Sequence, residues 1–467
     1  MRLSPDALQA FTEKSKDYVN SNFEAYLDEL QQLARIPGIA WSAFDPAELE
    51  RSAETVAKLL AGTEVFDSVE ILRSHANGVP GAPAVVAQRM AKAGRPQILL
   101  YAHHDVQPPG DEQAWQTPAF EPHRTSDRIF GRGVADDKAG ILAHLAAIRA
   151  LKQVAGEDFD LGITVFVEGE EEAGSPTFRN FLDENSELLK ADVIIVADSG
   201  NWSTEVPALT TTLRGLVSQV IEVSTLDHAL HSGMYGGAVP DAMMALIKVL
   251  ASLHDDQGNL AIAGLAEYEA DRLDYSEGDL RRDTGLLPGV SAIGNGDYLE
   301  RIWAKPALTV IGIDGQSVAM SSNTLLPKAS AKISLRIAPG QEPEAALAIL
   351  REHIETHLPF GAKVTFGEIE LGKPFNMDAS GWAAELAADA LKGAWGVPSV
   401  NIGIGGSIPF IADLKEVFPA AQILVTGVED PDSRAHSPNE SVHIESLRKA
   451  MISEAVFLLA GNELKAN

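Results

Sequence analysis

Four stretches of the sequence run from aliphatic residues straight into acids or histidines. Gln97–Ala102 (QILLYA) leads into His103-His104-Asp105, and Gly162–Val167 (GITVFV) into Glu168-Gly169-Glu170-Glu171-Glu172. Asp192–Ala197 (DVIIVA) leads into Asp198, and Gln422–Thr426 (QILVT) into a loop that contains His436. Neutral imidazole and carboxylate are the ligands that suit Zn²⁺, Mn²⁺ or Co²⁺. Two such ions about 3.5–4 Å apart can share a carboxylate and a water, activating the water and stabilising both oxygens of a tetrahedral intermediate. Without cations, so many acids in one pocket would repel each other. Asp105, two residues past His103, can accept that histidine's second ring N–H and fix its tautomer. Any one of these residues alone is more often a loop residue or a helix cap than a ligand. The reading rests on several segments pointing the same way.

The elements that would position them follow from the pattern. Short, nearly unbroken aliphatic runs suit strands buried on both faces. Helical patterns lie between them, as in Ala139–Val154. This predicts an α/β fold, a mixed sheet flanked by helices on both faces. The carboxyl ends of such strands are where ligand sites form. Residues from about 5 to 62 read as amphipathic helices interrupted at Pro37. From 209 to 372 the pattern changes: Leu216–Ser224 and Ala329–Ile337 alternate polar and apolar, and helical stretches follow at Pro240–Leu253 and Glu342–His357. A smaller α+β domain over 209–372 is therefore expected, inserted into a domain made of 1–208 and 373–467. Asp274–Asp297, rich in Asp, Glu, Arg and Gly, is expected to be an exposed loop.

At 467 residues the chain is long enough for two domains. Its formal net charge of -29 disfavours nucleic acid and anionic membrane surfaces as partners. There are no cysteines, so disulfides and thiolate metal sites are excluded and any metal must rest on His and carboxylates. The first residues lack the apolar core of a signal peptide, and no run approaches the roughly 18 apolar residues of a membrane span. A soluble, cytoplasmic protein is the expectation.

The segments YAHHDVQP, GRGVADDKAG, EGEEEAGS, DHALHSGMYGG, SLRIAPG, GGSIPF and AHSPNE, in this order over about residues 100 to 440, resemble one family. It is the family of dizinc exopeptidases that includes carnosinase, peptidase V-like dipeptidases and succinyl-diaminopimelate desuccinylase, and the carnosinase branch is most similar. The resemblance implies two divalent metal ions, zinc first, with manganese or cobalt as alternatives. It implies that His103 and Asp198 ligate one ion, Glu172 and His436 the other, and that Asp136 bridges them. Glu171 would be the general base, with the Glu170–Glu172 run leaving its register open by one position. His231 would stabilise the oxyanion, and Asn323, Arg336 and Ser407 would contact the substrate. Arg336 is suited to grip a terminal carboxylate bidentately. The inserted domain would act as lid and dimerisation domain, giving a homodimer. The sequence departs from the family at His104, where Tyr is common, at Glu170, where Met or Thr is common, and at Ala139, where Gly is usual.

The activity implied is hydrolysis of dipeptides or short peptides with a free C-terminal carboxylate. N-acyl or N-succinyl amino-acid deacylation is the alternative with the same chemistry, and an inactive metal-binding scaffold is the non-enzyme alternative. Two other features are set aside. His353 and His357 lie four apart on a predicted helix but lack the Glu of an HExxH motif, and an exposed helical face is expected. Gly403-Ile404-Gly405-Gly406 lacks the third glycine of a dinucleotide loop.

Overall fold

A computed structural model describes residues 3–92, 94–377, 381–406 and 409–465, the side chain of Pro409 excepted. The chain divides into two compact units, one made of 1–211, 377–402 and 413–467, the other of 212–376 and 403–412.

The first unit is built on a six-stranded sheet. Its order is Ser68–Leu72, Ala84–Arg89, Gly162–Glu168, Gln97–His103, Val193–Val196, Gln422–Val425. The last four are mutually parallel, whereas Ala84–Arg89 pairs antiparallel with both of its neighbours. Every residue of Gln97–His103 and of Gly162–Glu168 is buried, as their unbroken aliphatic character requires. Side chains alternate between the faces. Ile98 approaches Gly461 of the C-terminal helix Ile444–Glu463. Tyr101 and Phe166 pack edge to face, and Phe166 stacks on Phe178 and Phe181 of the helix Phe178–Glu184. The sheet is thus covered on both sides.

The helices of this unit carry recognisable ends. Pro5–Ala34 and Pro46–Ala61 each begin with Pro after a capping Ser4 or Asp45, where the missing N–H costs nothing and the side-chain oxygen accepts a free one. Lys138–Ala155 is rich in Ala and Leu, good helix formers, and ends at Gly156, whose φ of 89° suits glycine. It packs against Pro5–Ala34 and Ile444–Glu463.

The second unit is an antiparallel sheet ordered Ala307–Asp314, Lys328–Ile337, Gly215–Ser224, Lys363–Gly372. Burial alternates strictly along Lys328–Ile337, so one face makes a core with the helices Ala242–Ser252 and Pro343–Thr356. Two sequence expectations need correction here. Asp274–Asp297 is exposed but not simply a loop, because Glu277–Thr284 is helical. Ser276 accepts the Asp279 N–H while Asp279 accepts the Ser276 N–H, a reciprocal capping box that starts a helix even on a polar surface. His353 is also not exposed: it is buried, stacked on His357 at 3.9 Å, with its Nε2 3.0 Å from the Ser252 carbonyl.

Candidate metal centre

The four parallel strands of the first unit end on one edge, and their following residues meet there. Asp136 lies between two histidines. Its Oδ1 is 3.0 Å from His103 Nε2 and its Oδ2 is 3.0 Å from His436 Nε2. Glu172 Oε2 is 3.2 Å from His436 Nε2, and Asp198 Oδ1 is 3.9 Å from His103 Nε2. Two groups able to hold a cation result, Asp136 with Glu172 and His436, and His103 with Asp137 and Asp198. The ligand atoms within each group lie within 4.8 Å of one another.

Local structure explains each placement. His103 closes its strand, paired in register with Glu168. Its Nδ1 is 3.1 Å from the Asp105 carbonyl oxygen and 3.4 Å from Asp105 Oδ1, so the nearer partner is backbone rather than the carboxylate expected from the spacing. A ring proton held there leaves Nε2 as the nitrogen that faces the acids and that can ligate a cation once its own proton is lost. The Asp105 carboxylate has further partners, since Oδ1 accepts the Glu171 N–H at 3.2 Å and Oδ2 the Glu172 N–H at 3.0 Å. His436 sits in a loop closed by the strand Ser441–His443, which pairs with Arg128–Phe130. His436 and Asn439 have φ of 62° and 64°, left-handed values that turn this loop sharply. Asn439 pins it by donating to the Ala114 carbonyl and accepting the Gln116 N–H.

The three consecutive glutamates have different surroundings. Glu170 accepts from Ala82 N, Thr177 N and Thr177 Oγ1 at 2.9, 2.7 and 2.6 Å. Glu172 accepts from Gln107 N and Nε2 at 3.1 and 2.7 Å. Among the described residues, no donor reaches the Glu171 carboxylate.

Electrostatics mark the cluster as cation-seeking. Burial, then the charge of Asp198, holds Glu171 well above the ordinary carboxylate range. Burial raises Asp198 to about 7 against the pull of His103, with Asp136 and Glu172 adding to the rise. Asp137 is pushed well up by burial and then by Asp198, and its Oδ1 is buried with no partner. Burial also acts to raise Asp136, but hydrogen bonds with His103 and His436 outweigh it and hold this carboxylate low. Hydrogen bonds to Asp136 and Glu172 lift the exposed His436 to about 11. Burial lowers His103, yet Asp105 and Asp136 overcome it and leave the ring well above its usual value. Imidazole and carboxylate donors without thiolate suit zinc, manganese or cobalt, and divalent cations would relieve this repulsion.

Three further acids of the centre have no signal of their own in the sequence, Asp137 and Glu440 buried and Glu429 partly so. Asp137 was adjacent to a named residue. Glu429 is raised by burial, then by Asp136 and Asp198. Glu440, the last residue of AHSPNE, accepts from Arg132 Nη1 at 2.7 Å and from the N–H groups of Gly133, Ala135 and Asp136. Only its place in a motif hinted at this.

His231, Asn323 and Arg336 belong to the second unit. His231 is exposed and ends the short strand Leu230–His231, paired with Thr324–Leu325. Its Nδ1 accepts the Gly233 N–H at 3.1 Å, which puts the ring proton on Nε2. Asn323 is exposed, with its carbonyl accepting the Ser232 N–H at 2.9 Å. Arg336 stands in the Lys328–Ile337 strand opposite Leu216 and Ala307. Ser407 lies outside the described residues. Gly403-Ile404-Gly405-Gly406 leaves the strand Val400–Ile404.

The pattern described as peptidase family M20/M25/M40 matches residues 99–458. The cysteinylglycine-S-conjugate dipeptidase of Corynebacterium striatum is 36% identical over 388 residues, 82% of this chain and 84% of that protein. The Cys-Gly metallodipeptidase of Schizosaccharomyces pombe is 27% identical over 97% of each chain. The crystal structure of human carnosine dipeptidase 1 superposes with a TM-score of 0.79 at 21% identity, covering 97% of this chain and 99% of that one.

Proposed function

The chain belongs to peptidase family M20/M25/M40, and on that premise we propose that it is a dimetal dipeptidase. The observation that carries this is Asp136, with one carboxylate oxygen 3.0 Å from each of two histidines. A carboxylate so disposed can bridge two ions, His103 and Asp198 serving one and Glu172 and His436 the other. Zinc is the first choice for both. Bound there, the ions supply Lewis acidity for the scissile carbonyl and acidify the attacking water.

The residues of the chain do the rest. Glu171, with no competing donor, takes a proton from the attacking water and delivers it to the leaving amine. Asp105 holds the His103 ring and the Glu171–Glu172 turn at once. Following the family resemblance, His231 offers its Nε2–H to the developing oxyanion, Arg336 grips the substrate carboxylate, and Asn323 and Ser407 complete the substrate contacts. Names among the relatives favour dipeptides over N-acyl amino acids and over an inactive scaffold. The substrate in this reading is a dipeptide with a free carboxylate.

A homodimer is part of this reading. In the second unit, Ala307–Asp314 is a sheet edge with Ile311 and Ile313 more than half exposed, and Ile247 is 54% exposed on Ala242–Ser252. Apolar residues at an unpaired edge invite a two-fold partner. The deciding experiment is turnover of a dipeptide panel against N-acyl amino acids after metal removal and reconstitution. Metal-dependent cleavage of dipeptides supports the proposal. Preference for the acylated compounds, or no hydrolysis of either set, overturns it.

A further inference from the structure

The second unit contains a cavity of about 720 Å³, within the range that takes a small organic ligand. One wall is the core of this unit, through Ile262 and Leu308. Leu260, Leu265, Leu286 and Ile293 extend that apolar lining. Into the same cavity come two guanidinium groups, Arg214 and Arg301.

Neither guanidinium has an acid for a partner among the described residues. Arg214 is only 8% exposed. Its Nε donates to the Gly405 carbonyl at 3.1 Å, and its Nη1 to the carbonyls of Lys305 and Arg301 at 3.1 and 3.3 Å. Arg301 donates to the carbonyls of Asp297, Ile293 and Gly294, and lies over the Tyr298 ring at 4.1 Å. The other cation lining the cavity, Lys305, is already compensated, being 3.5 Å from Glu300 and 3.9 Å from Glu267.

Two uncompensated arginines are unexpected in a chain with a net charge of -29. A buried cation without an anion is costly, and burial, followed by the charge of Arg336, pulls Arg214 down to about 10. The carbonyls hold each group in one orientation, so little freedom is lost when an anion arrives. Apolar walls and fixed guanidinium groups together select a ligand with an aliphatic body and one anionic end.

We propose that this cavity of the second unit binds an aliphatic monocarboxylate. The carbonyls leave the Nη2 group of each guanidinium unengaged, where it can donate to a carboxylate in a charge-assisted pair, and the Leu and Ile lining buries the chain. The site would let acyl compounds, such as products of lipid or acyl-amide breakdown, act on a peptidase whose own substrate is a different molecule.

Calorimetric titration of the metal-loaded 467-residue protein with decanoate tests this. One saturable site per chain is expected, with 1-decanol binding at least about tenfold more weakly because it lacks the charge. Arg214→Met should weaken decanoate by a similar factor. Since Arg214 also ties three carbonyls, Leu286→Trp provides a variant that narrows the cavity and leaves both arginines in place. It should weaken decanoate binding while dipeptide hydrolysis continues. The proposal is overturned if decanoate shows no saturable site, or if 1-decanol binds as tightly. It is equally overturned if Leu286→Trp binds decanoate unchanged, which would mean coordination at the metal centre only.

Discussion

Glu440 Oε1 accepts the backbone N–H of Asp136 at 3.2 Å. The two residues come from loops far apart in the chain, and the same carboxylate gathers Ala135 N, Gly133 N and Arg132 Nη1. Glu440 therefore fixes the backbone from which Asp136 reaches both histidines. Glu440→Gln keeps the volume but replaces an acceptor oxygen with a donor, stranding N–H groups in a fully buried place. The expected loss is about 1–3 kcal/mol of stability, with metal affinity falling about 10–100-fold as Asp136 loses its support. Chelator competition on the purified variant reads the second effect. An unchanged metal affinity would make Glu440 a support of the fold alone.

The contrast among the three glutamates yields a paired prediction. Glu171→Gln should lower kcat about 10²–10⁴-fold while metal content stays at the wild-type level, since its carboxylate has no structural partner. Glu170→Gln should do the reverse, because its three donors would lose part of their acceptor, costing about 1–3 kcal/mol. Its turnover, measured where the protein is folded, should stay near wild type. Elemental analysis and steady-state kinetics on both variants separate the roles. Full activity in Glu171→Gln would dismiss it as the base.

The strand-end logic made much of this centre legible beforehand, and its reach can be seen in these residues. His103, Glu172 and Asp198 follow aliphatic runs that suit buried strands, so their meeting on one edge follows once those strands lie parallel in one sheet. Asp136 follows no such run and was placed by resemblance alone. Glu170, Glu171 and Glu172 look alike in sequence. What distinguishes them is Asp105 accepting two successive N–H groups and Thr177 capturing Glu170, contacts that local pattern cannot register. Glu440 was hidden for the same reason, its partners being about 300 residues away. The helix Glu277–Thr284 shows no apolar periodicity to announce it and begins on the Ser276–Asp279 capping box instead.

Protonation should oppose metal loading in a defined direction. His436 titrates at about 11 and His103 also lies well above its usual value, so both rings carry a proton at neutral pH before metal arrives. Ligation requires neutral imidazole, and loading should release about two protons per chain. Below about 7 Asp198 also becomes protonated, so metal affinity should fall more steeply there than above it. Titration calorimetry in buffers of different ionisation enthalpy counts the protons. Affinity independent of pH between 6 and 8, about the range in which these groups matter, would contradict the assignment of the histidines.

Lys138 is fully buried, its Nζ donating to the carbonyls of Leu33 at 2.9 Å and Ile36 at 2.7 Å. Burial pulls it from 10.5 down to about 7, against the attraction of Glu440 and Asp105. The folded state thus holds its proton less tightly than the unfolded chain does. Above 10.5 both states are neutral and the group costs nothing. As pH falls from there to about 7 the unfolded chain is protonated first, and stability declines by about 1.4 kcal/mol for each pKa unit of the difference. Below that range the penalty is constant. The two carbonyls keep other donors, Ile36 N at 3.0 Å and Gly38 N at 2.9 Å, so Lys138→Met strands no acceptor and fills the same space with a flexible apolar chain. Its urea midpoint should match or exceed wild type at pH 7, and the rise in stability from pH 7 to pH 9, about half of the window set by these two values, should flatten. A variant that keeps the wild-type slope would show that the lysine is charged in the folded protein.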